Sequence, residues 1–239
     1  MARKTKQEAL ETRESILDAA ERLFHSQGVS RTSLQDIAAA AQLTRGAIYW
    51  HFKDKAELFN AMMERATMPL EQGMTASAQP EPGATPVPTL AELRWGLVNV
   101  FYSTMHSERT RRAFEIVMHK VEFAGEMSSL RERQLDAHTQ WREQNRVCFE
   151  AAVARGELPA SVDPMQAAIE LIALTDGLIH EWILSPHSFD LLHVGQAAVE
   201  RFFNCLAGRP LLPQLSAAEV ERLGRTPICP VGRGGAELV

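Results

Sequence analysis

Thr44-Arg45-Gly46-Ala47-Ile48-Tyr49-Trp50-His51-Phe52-Lys53-Asp54-Lys55 is the stretch that decides the fold. Thr44 is a good helix N-cap. At about 100° per residue, Arg45, Gly46, Tyr49 and Trp50 share one arc of the helix that follows. Ala47, Ile48 and His51 take the opposite arc, with Phe52 at its edge. One arc is apolar enough to pack on a neighbouring helix. The other offers a guanidinium that pairs bidentately with guanine O6 and N7, and two aromatic side chains that reach phosphate oxygens or a thymine methyl. Gly46 leaves room for close backbone approach. Asp54 caps the next helix, with Glu57 at the capping-box position, and Lys53 and Lys55 flank the junction.

The preceding residues complete a helix-turn-helix. Thr32 and Gln35 read as a capping box, followed by Leu34, Ile37, Ala38 and Ala41 at helical spacing. Gln42-Leu43-Thr44 is a three-residue turn of the expected length. Further upstream, Ile16, Leu17, Ala20, Leu23 and Phe24 form an amphipathic stripe that ends at Gly28, a C-cap. Three helices thus fit in about fifty residues.

Charge distribution agrees with a selective reader of DNA. The 239 residues carry a formal net charge of −5. Residues 1–57 hold nine Lys or Arg and eight Asp or Glu, whereas the remainder holds sixteen and twenty-two. Arg3, Lys4 and Lys6 concentrate at the N-terminus, where Lys4 and Lys6 are candidates for a DNA-touching arm. An acidic body discourages non-specific adhesion to nucleic acid. Ser33, at a helix start, is a candidate phosphate donor or an ordinary helix residue.

Residues 1–60 resemble the N-terminal domain of TetR-family transcriptional repressors. The stretches Met1–Lys6, Thr44–Phe52 and Met118–Phe123 are most similar to the AcrR-like branch, which represses multidrug efflux operons. Where the family's turn usually carries Gly, this chain has Gln42, a substitution that costs about 1 kcal/mol if φ is positive.

Beyond residue 54 the pattern is helical throughout, and no useful strand alternation appears. The fold class is all-α: an N-terminal three-helix DNA-binding domain over residues 1–53 (helix-turn-helix at about 33–52), then a helical ligand-binding and dimerisation domain over 54–208. A helix runs from Asp54 to about Gly73. Residues 74–89 form a Pro-rich loop. Helices are expected at roughly 89–105, 107–124, 127–155, 163–184 and 189–207: Gly156 ends the third, Asp163-Pro164 starts the fourth, Pro186 stops it, and Gly208 with Pro210 stops the last. Residues 209–239 read as a Pro/Gly-rich, largely disordered tail, with a short helix at Ser216–Leu223.

Apolar residues of the 163–184 and 189–207 segments spread over more than one face. They are either central core helices or helices that pack inward on one side and on a second subunit on the other. The resemblance implies the latter, a four-helix dimer interface. A two-fold dimer presents two reading helices to a pseudo-palindromic operator.

Met62, Met63, Ala66, Leu97, Phe101, Met105, Phe114, Met118, Trp141, Ile172 and Leu178 are soft or aromatic residues on helices. Such residues usually form core, but here polar groups intervene: Asp176, with His119, Glu122, Gln134 and His138. An apolar chamber with a few polar groups suits a small molecule, and Met repacks around varied ligands. The resemblance implies that Phe114, Met118, Ile172, Thr175, Asp176 and His180 lie at pocket-lining positions.

No GxSxG, P-loop, HExxH or paired CxxC motif occurs, so no enzyme, metal or cofactor is expected. His119 and Glu122 lack a second metal-ligating pair. Cys148, Cys205 and Cys229 are widely spaced, and with no signal peptide they point to the reducing cytoplasm. Charges interrupt the longest apolar stretch, Ile169–Leu184, so no membrane span is expected.

The combined expectation is a cytoplasmic homodimeric repressor of a multidrug efflux operon, bound to double-stranded palindromic operator DNA and released by a hydrophobic or aromatic inducer. Arg45 reads a base, while Tyr49, Trp50, His51 and Lys55 mainly grip phosphates and Thr44 and Gly46 bring the helix close. The alternatives are a regulator of lipid or aromatic catabolism and a ligand-independent DNA-organising protein.

Overall fold

The computed structural model describes residues 6–73, 87–122 and 128–224; the side chains of 67–73, 128–130 and 133 are not described. Lys4, most of the Pro-rich loop and tail residues 225–239 therefore lie outside the described residues. Among the described residues ten helices form and no strand. None of these helices is long and apolar enough to cross a membrane.

The chain divides into two compact units, residues 1–66 with 109–136, and residues 67–108 with 137–239. The first unit therefore reaches past the boundary expected at residue 53. It contains α1 (Lys6–Gln27), α2 (Leu34–Ala40), α3 (Arg45–His51), the first part of α4 (Lys55–Gly73) and α6 (Glu108–His119). The reason is visible in its core. Phe24, Ile37 and Ile48 are fully buried together with Leu58 and Met62 of α4 and Ile116 of α6. One long and two seven-residue helices lack enough apolar surface to close a core, and the two extra helices supply it.

Charges reinforce the same association. The Arg65 guanidinium donates to Glu14 at 3.0 Å, Asp18 at 2.7 Å and Glu21 at 3.0 Å, joining α4 to α1. Burial works against the charge on Arg65, and its hydrogen bonds to Glu14 and Asp18 outweigh that effect, so the guanidinium is more basic than usual. Arg112 lies 3.5 Å from the buried Glu21 carboxylate.

The second unit contains α5 (Leu90–His106), most of α7 (Ser128–Ala154), α8 (Pro164–Leu184), α9 (Leu191–Ala207) and α10 (Ala217–Glu221). Thr89 and Glu92 form a capping box at the start of α5. Asp163 caps α8 with Pro164 at N1, as the sequence indicates. α5 crosses α9 so closely that a Cβ at Gly195 would meet the Phe101 ring at 2.4 Å. Phe149 of α7 packs edgewise on Phe202 and Phe203 of α9.

The short helix expected at Ser216–Leu223 forms as α10, capped by Ser216 and Glu219, while the residues around it, expected to be disordered, are packed as far as Gly224. The buried Arg94 donates to the Pro213 carbonyl. Trp95 Nε1 donates to the Glu219 carbonyl at 3.2 Å, and the Gly224 N–H donates to Asn99 Oδ1 at 2.9 Å. Leu223, 4% exposed, joins Trp95 and Val98 in a small core. The Pro and Gly content gave no hint that α5 offers these polar partners.

α8 resolves into two apolar faces. Leu171, Ile172, Ile179 and Trp182 are buried within the unit, while Met165, Ile169 and Leu184 are 38%, 48% and 58% exposed.

Candidate nucleic-acid interface

The local sequence sets the geometry of the reading helix. Ser33 caps α2: its hydroxyl accepts from the Asp36 N–H at 3.1 Å, and the Asp36 carboxylate accepts from the Ser33 N–H at 2.9 Å. The capping box is thus Ser33 with Asp36, not Thr32 with Gln35. Thr32 sits one residue too early; its buried hydroxyl donates to the Gly28 carbonyl at 2.7 Å. Hydrogen bonds from the Ser33 side chain and backbone hold the Asp36 carboxyl below its usual range. The Ser33 hydroxyl also donates to that carboxylate at 2.6 Å, so the expected phosphate donor is engaged in its own cap.

α2 ends in a Schellman motif. The Leu43 N–H reaches the Ala38 carbonyl at 2.8 Å, and the Gln42 N–H reaches Ala39 at 3.0 Å. Gln42 has φ 57°, the left-handed conformation that glycine adopts freely. The turn therefore keeps its geometry with Gln in the glycine position, at a local cost of about 1 kcal/mol. Burial of Ile37, Ala38 and Ile48 on either side of the turn offsets that cost.

α3 starts at Thr44, whose side chain accepts from the Ala47 N–H at 3.3 Å. Ile48 is fully buried, and Phe52, just past the helix, is 2% exposed. On the opposite face Tyr49 is 46% exposed and Trp50 73% exposed. The Arg45 guanidinium lies 5.5 Å from the Tyr49 ring centroid, a cation–π placement that restricts the arginine while leaving it exposed. Trp50 meets His51 edge to face at 4.6 Å. A Cβ on Gly46 would meet only Thr44 Oγ1, at 4.0 Å, so no protein atom requires glycine there. Lys6 is exposed at the start of α1.

Lys55 departs from expectation. Its ammonium is turned inward, donating to the carbonyls of Val29 and Thr32 at 3.1 Å each. The loop before α2 is held from a second side, since the Val29 N–H donates to the Lys120 carbonyl at 3.0 Å. That contact also accompanies the end of α6 at His119 rather than near 124. Partners 26 and 91 residues away leave no local signature in the sequence.

The expected ligand residues fall in both units. Met62, Met63, Ala66, Phe114 and Met118 belong to the first, where Met62 is core and Met63 packs against it. Leu97, Phe101, Met105, Trp141, Ile172, Thr175, Asp176 and His180 belong to the second. Several are engaged already. Phe101 lies against Gly195, Met105 Sδ accepts from the Leu192 N–H at 3.3 Å, and the Thr175 hydroxyl donates to Leu171. Asp176 faces His138 at 3.7 Å. Burial pushes its carboxyl above the usual range, against the pull of His138.

Two family models match the chain. One describes bacterial regulatory proteins of the tetR family and covers residues 16–62. The other describes the C-terminal region of MAATS-type transcriptional repressors and covers residues 88–207. The chain is 44% identical over 195 residues to the HTH-type transcriptional regulator AcrR of Shigella flexneri, covering 80% of this chain and 87% of that protein. It is similar to the crystal structure of NalD, the secondary repressor of the MexAB-OprM multidrug efflux pump in Pseudomonas aeruginosa. That match has a TM-score of 0.73 and 34% identity over 84% of this chain and 98% of NalD. The triclosan complex of SmeT, repressor of the Stenotrophomonas maltophilia multidrug efflux pump SmeDEF, gives a TM-score of 0.74 at 32% identity, covering 86% of this chain and 96% of SmeT. On these matches the chain belongs to the TetR family of DNA-binding bacterial regulatory proteins.

Proposed function

We propose that this chain represses a multidrug efflux operon, binding a palindromic operator as a dimer and leaving it when a hydrophobic or aromatic compound binds its helical domain. One observation carries the DNA-reading part. A seven-residue helix, anchored by Ile48 on one side, presents Arg45, Tyr49 and a 73% exposed Trp50 on the other. Large aromatic surface in water is costly, and a major groove supplies both base edges and phosphates to cover it.

Arg45 reads a base, while Tyr49, Trp50 and His51 position the helix on the backbone. Lys4 and Lys6 extend the contact as an N-terminal arm. Lys55 acts one step back, fixing the loop that leads into α2. The exposed apolar positions of α8 support pairing with a second copy, and a two-fold dimer brings two α3 helices to the two halves of a palindromic operator. The efflux assignment draws support from NalD, a secondary repressor of one multidrug efflux pump, and SmeT, the repressor of another.

Release requires that the ligand bind the DNA-incompetent arrangement more tightly than the competent one. α4 is continuous from Lys55, next to the reader, to Gly73, and is the covalent link along which such a shift travels. Fluorescence anisotropy with duplexes from the upstream intergenic region tests the reading. Saturable binding that survives excess scrambled duplex supports it; equal competition by scrambled duplex refutes it.

A further inference from the structure

Asn145 is a polar residue that the fold leaves unserved. It lies on α7, 1% exposed, and neither its Oδ1 nor its Nδ2 has a hydrogen-bond partner among the described residues. Leaving both ends of a buried amide unpaired is expensive, and folded chains seldom do so without a use for the group.

Its position on the helix indicates the use. His138, Trp141 and Asn145 are spaced i, i+3 and i+7, so they share one face of α7. His138, at one end of that face, reaches Asp176 of α8 at 3.7 Å. Phe149, one turn beyond Asn145, packs on Phe202 and Phe203 of α9. Asn145 is therefore a buried, unpaired amide on α7, with the half-exposed His138–Asp176 pair toward one end of its face and a cluster of rings toward the other. All of these residues belong to one unit.

We propose that Asn145 is a specificity-determining residue of the ligand site, receiving a neutral aromatic compound through a hydroxyl or amide group. This rests on the ligand-responsive reading above. Oδ1 accepts from the ligand's O–H or N–H, and Nδ2–H donates to an oxygen of the same molecule. A charged ligand gains less here, because the amide offers no counter-ion and burial penalises the charge. A pure hydrocarbon leaves the amide unpaired.

Triclosan, which carries a phenolic hydroxyl, and its O-methyl ether, which lacks the donor, are the probes. Isothermal titration of each into the full-length chain should show triclosan binding about tenfold more tightly, the size of one hydrogen bond gained. Asn145→Leu, similar in volume, should reduce that ratio to about one, as should Asn145→Ala. The ligand-free Asn145→Leu chain should melt at or above the wild-type temperature, because an unpaired amide has been removed. A ratio near one in the wild type, or a ratio that survives in both variants, overturns the assignment. So does a marked fall in melting temperature of ligand-free Asn145→Leu, which would reveal an internal partner for the amide. Operator release by triclosan is followed in the same wild-type preparation. Release without discrimination overturns the Asn145 assignment alone, whereas neither binding nor release overturns it together with the ligand-responsive reading.

Discussion

The ammonium of Lys55 donates to the carbonyl of Thr32 at 3.1 Å, tying the first residue of α4 to the residue that precedes the α2 cap. A second bond, to Val29, completes a clamp across the loop. Charge-assisted bonds of this kind are worth about 2 kcal/mol when partly buried. Lys55→Met should therefore lower the melting temperature by about 4–8 °C. It should weaken operator binding by loosening the loop, while leaving the slope of log Kobs against log salt unchanged. A slope reduced by about one ion would instead place the ammonium on a phosphate.

Arg45 and Gly46 separate recognition from stability. Arg45→Ala should reduce discrimination between operator and scrambled duplex at fixed salt by about 1–3 kcal/mol, with little change in melting temperature. Gly46→Ala adds a methyl group in ordinary contact with Thr44 Oγ1 at 4.0 Å and improves helix propensity by up to about 1 kcal/mol. The melting temperature should hold or rise while operator affinity falls. Unchanged affinity would show that the backbone does not closely approach DNA at Gly46.

The segment following α9 offers a test of stability. Leu223 is buried against Trp95 and Val98. Leu223→Ala should cost about 2–5 kcal/mol and lower the melting temperature by several degrees. A melting curve superimposable on wild type would return this segment to the disorder suggested by its composition.

Asp176 gives the chain a pH signature. Burial raises its carboxyl above the usual 3.8, so the folded chain gives up this proton at a higher pH than the unfolded chain does. This contribution favours folding at acid pH and is lost as pH rises through the folded value. Asp176→Asn should match wild type near pH 3 and melt slightly higher at pH 7. A lower melting temperature at pH 7 would mean that His138 contributes more than burial costs.

Much of this was legible in the sequence because it depends on local physics. Gly28, Gly156 and Gly208 all take positive φ, ending helices where punctuation alone placed the stops. The Ile48 and Trp50 faces of α3 follow from the 100° repeat. What stayed hidden depends on distant partners. The loop clamp on Lys55, the association of α4 and α6 with the reader, and the packing of Leu223 on α5 each join segments dozens of residues apart. The Thr32 cap failed for a smaller reason: Ser33 and Asp36 offer the same pattern one residue later, and burial of Thr32 decides between them. Met62 illustrates the ambiguity of soft residues, since the pattern of a ligand chamber and that of a core are the same until packing is known.

Footprinting of the upstream intergenic region tests the central claim most directly. The account predicts two protected half-sites one helical turn apart, lost when an aromatic efflux substrate is added and absent with Trp50→Ala. Protection that persists with Trp50→Ala, or no protection at any position, would contradict it.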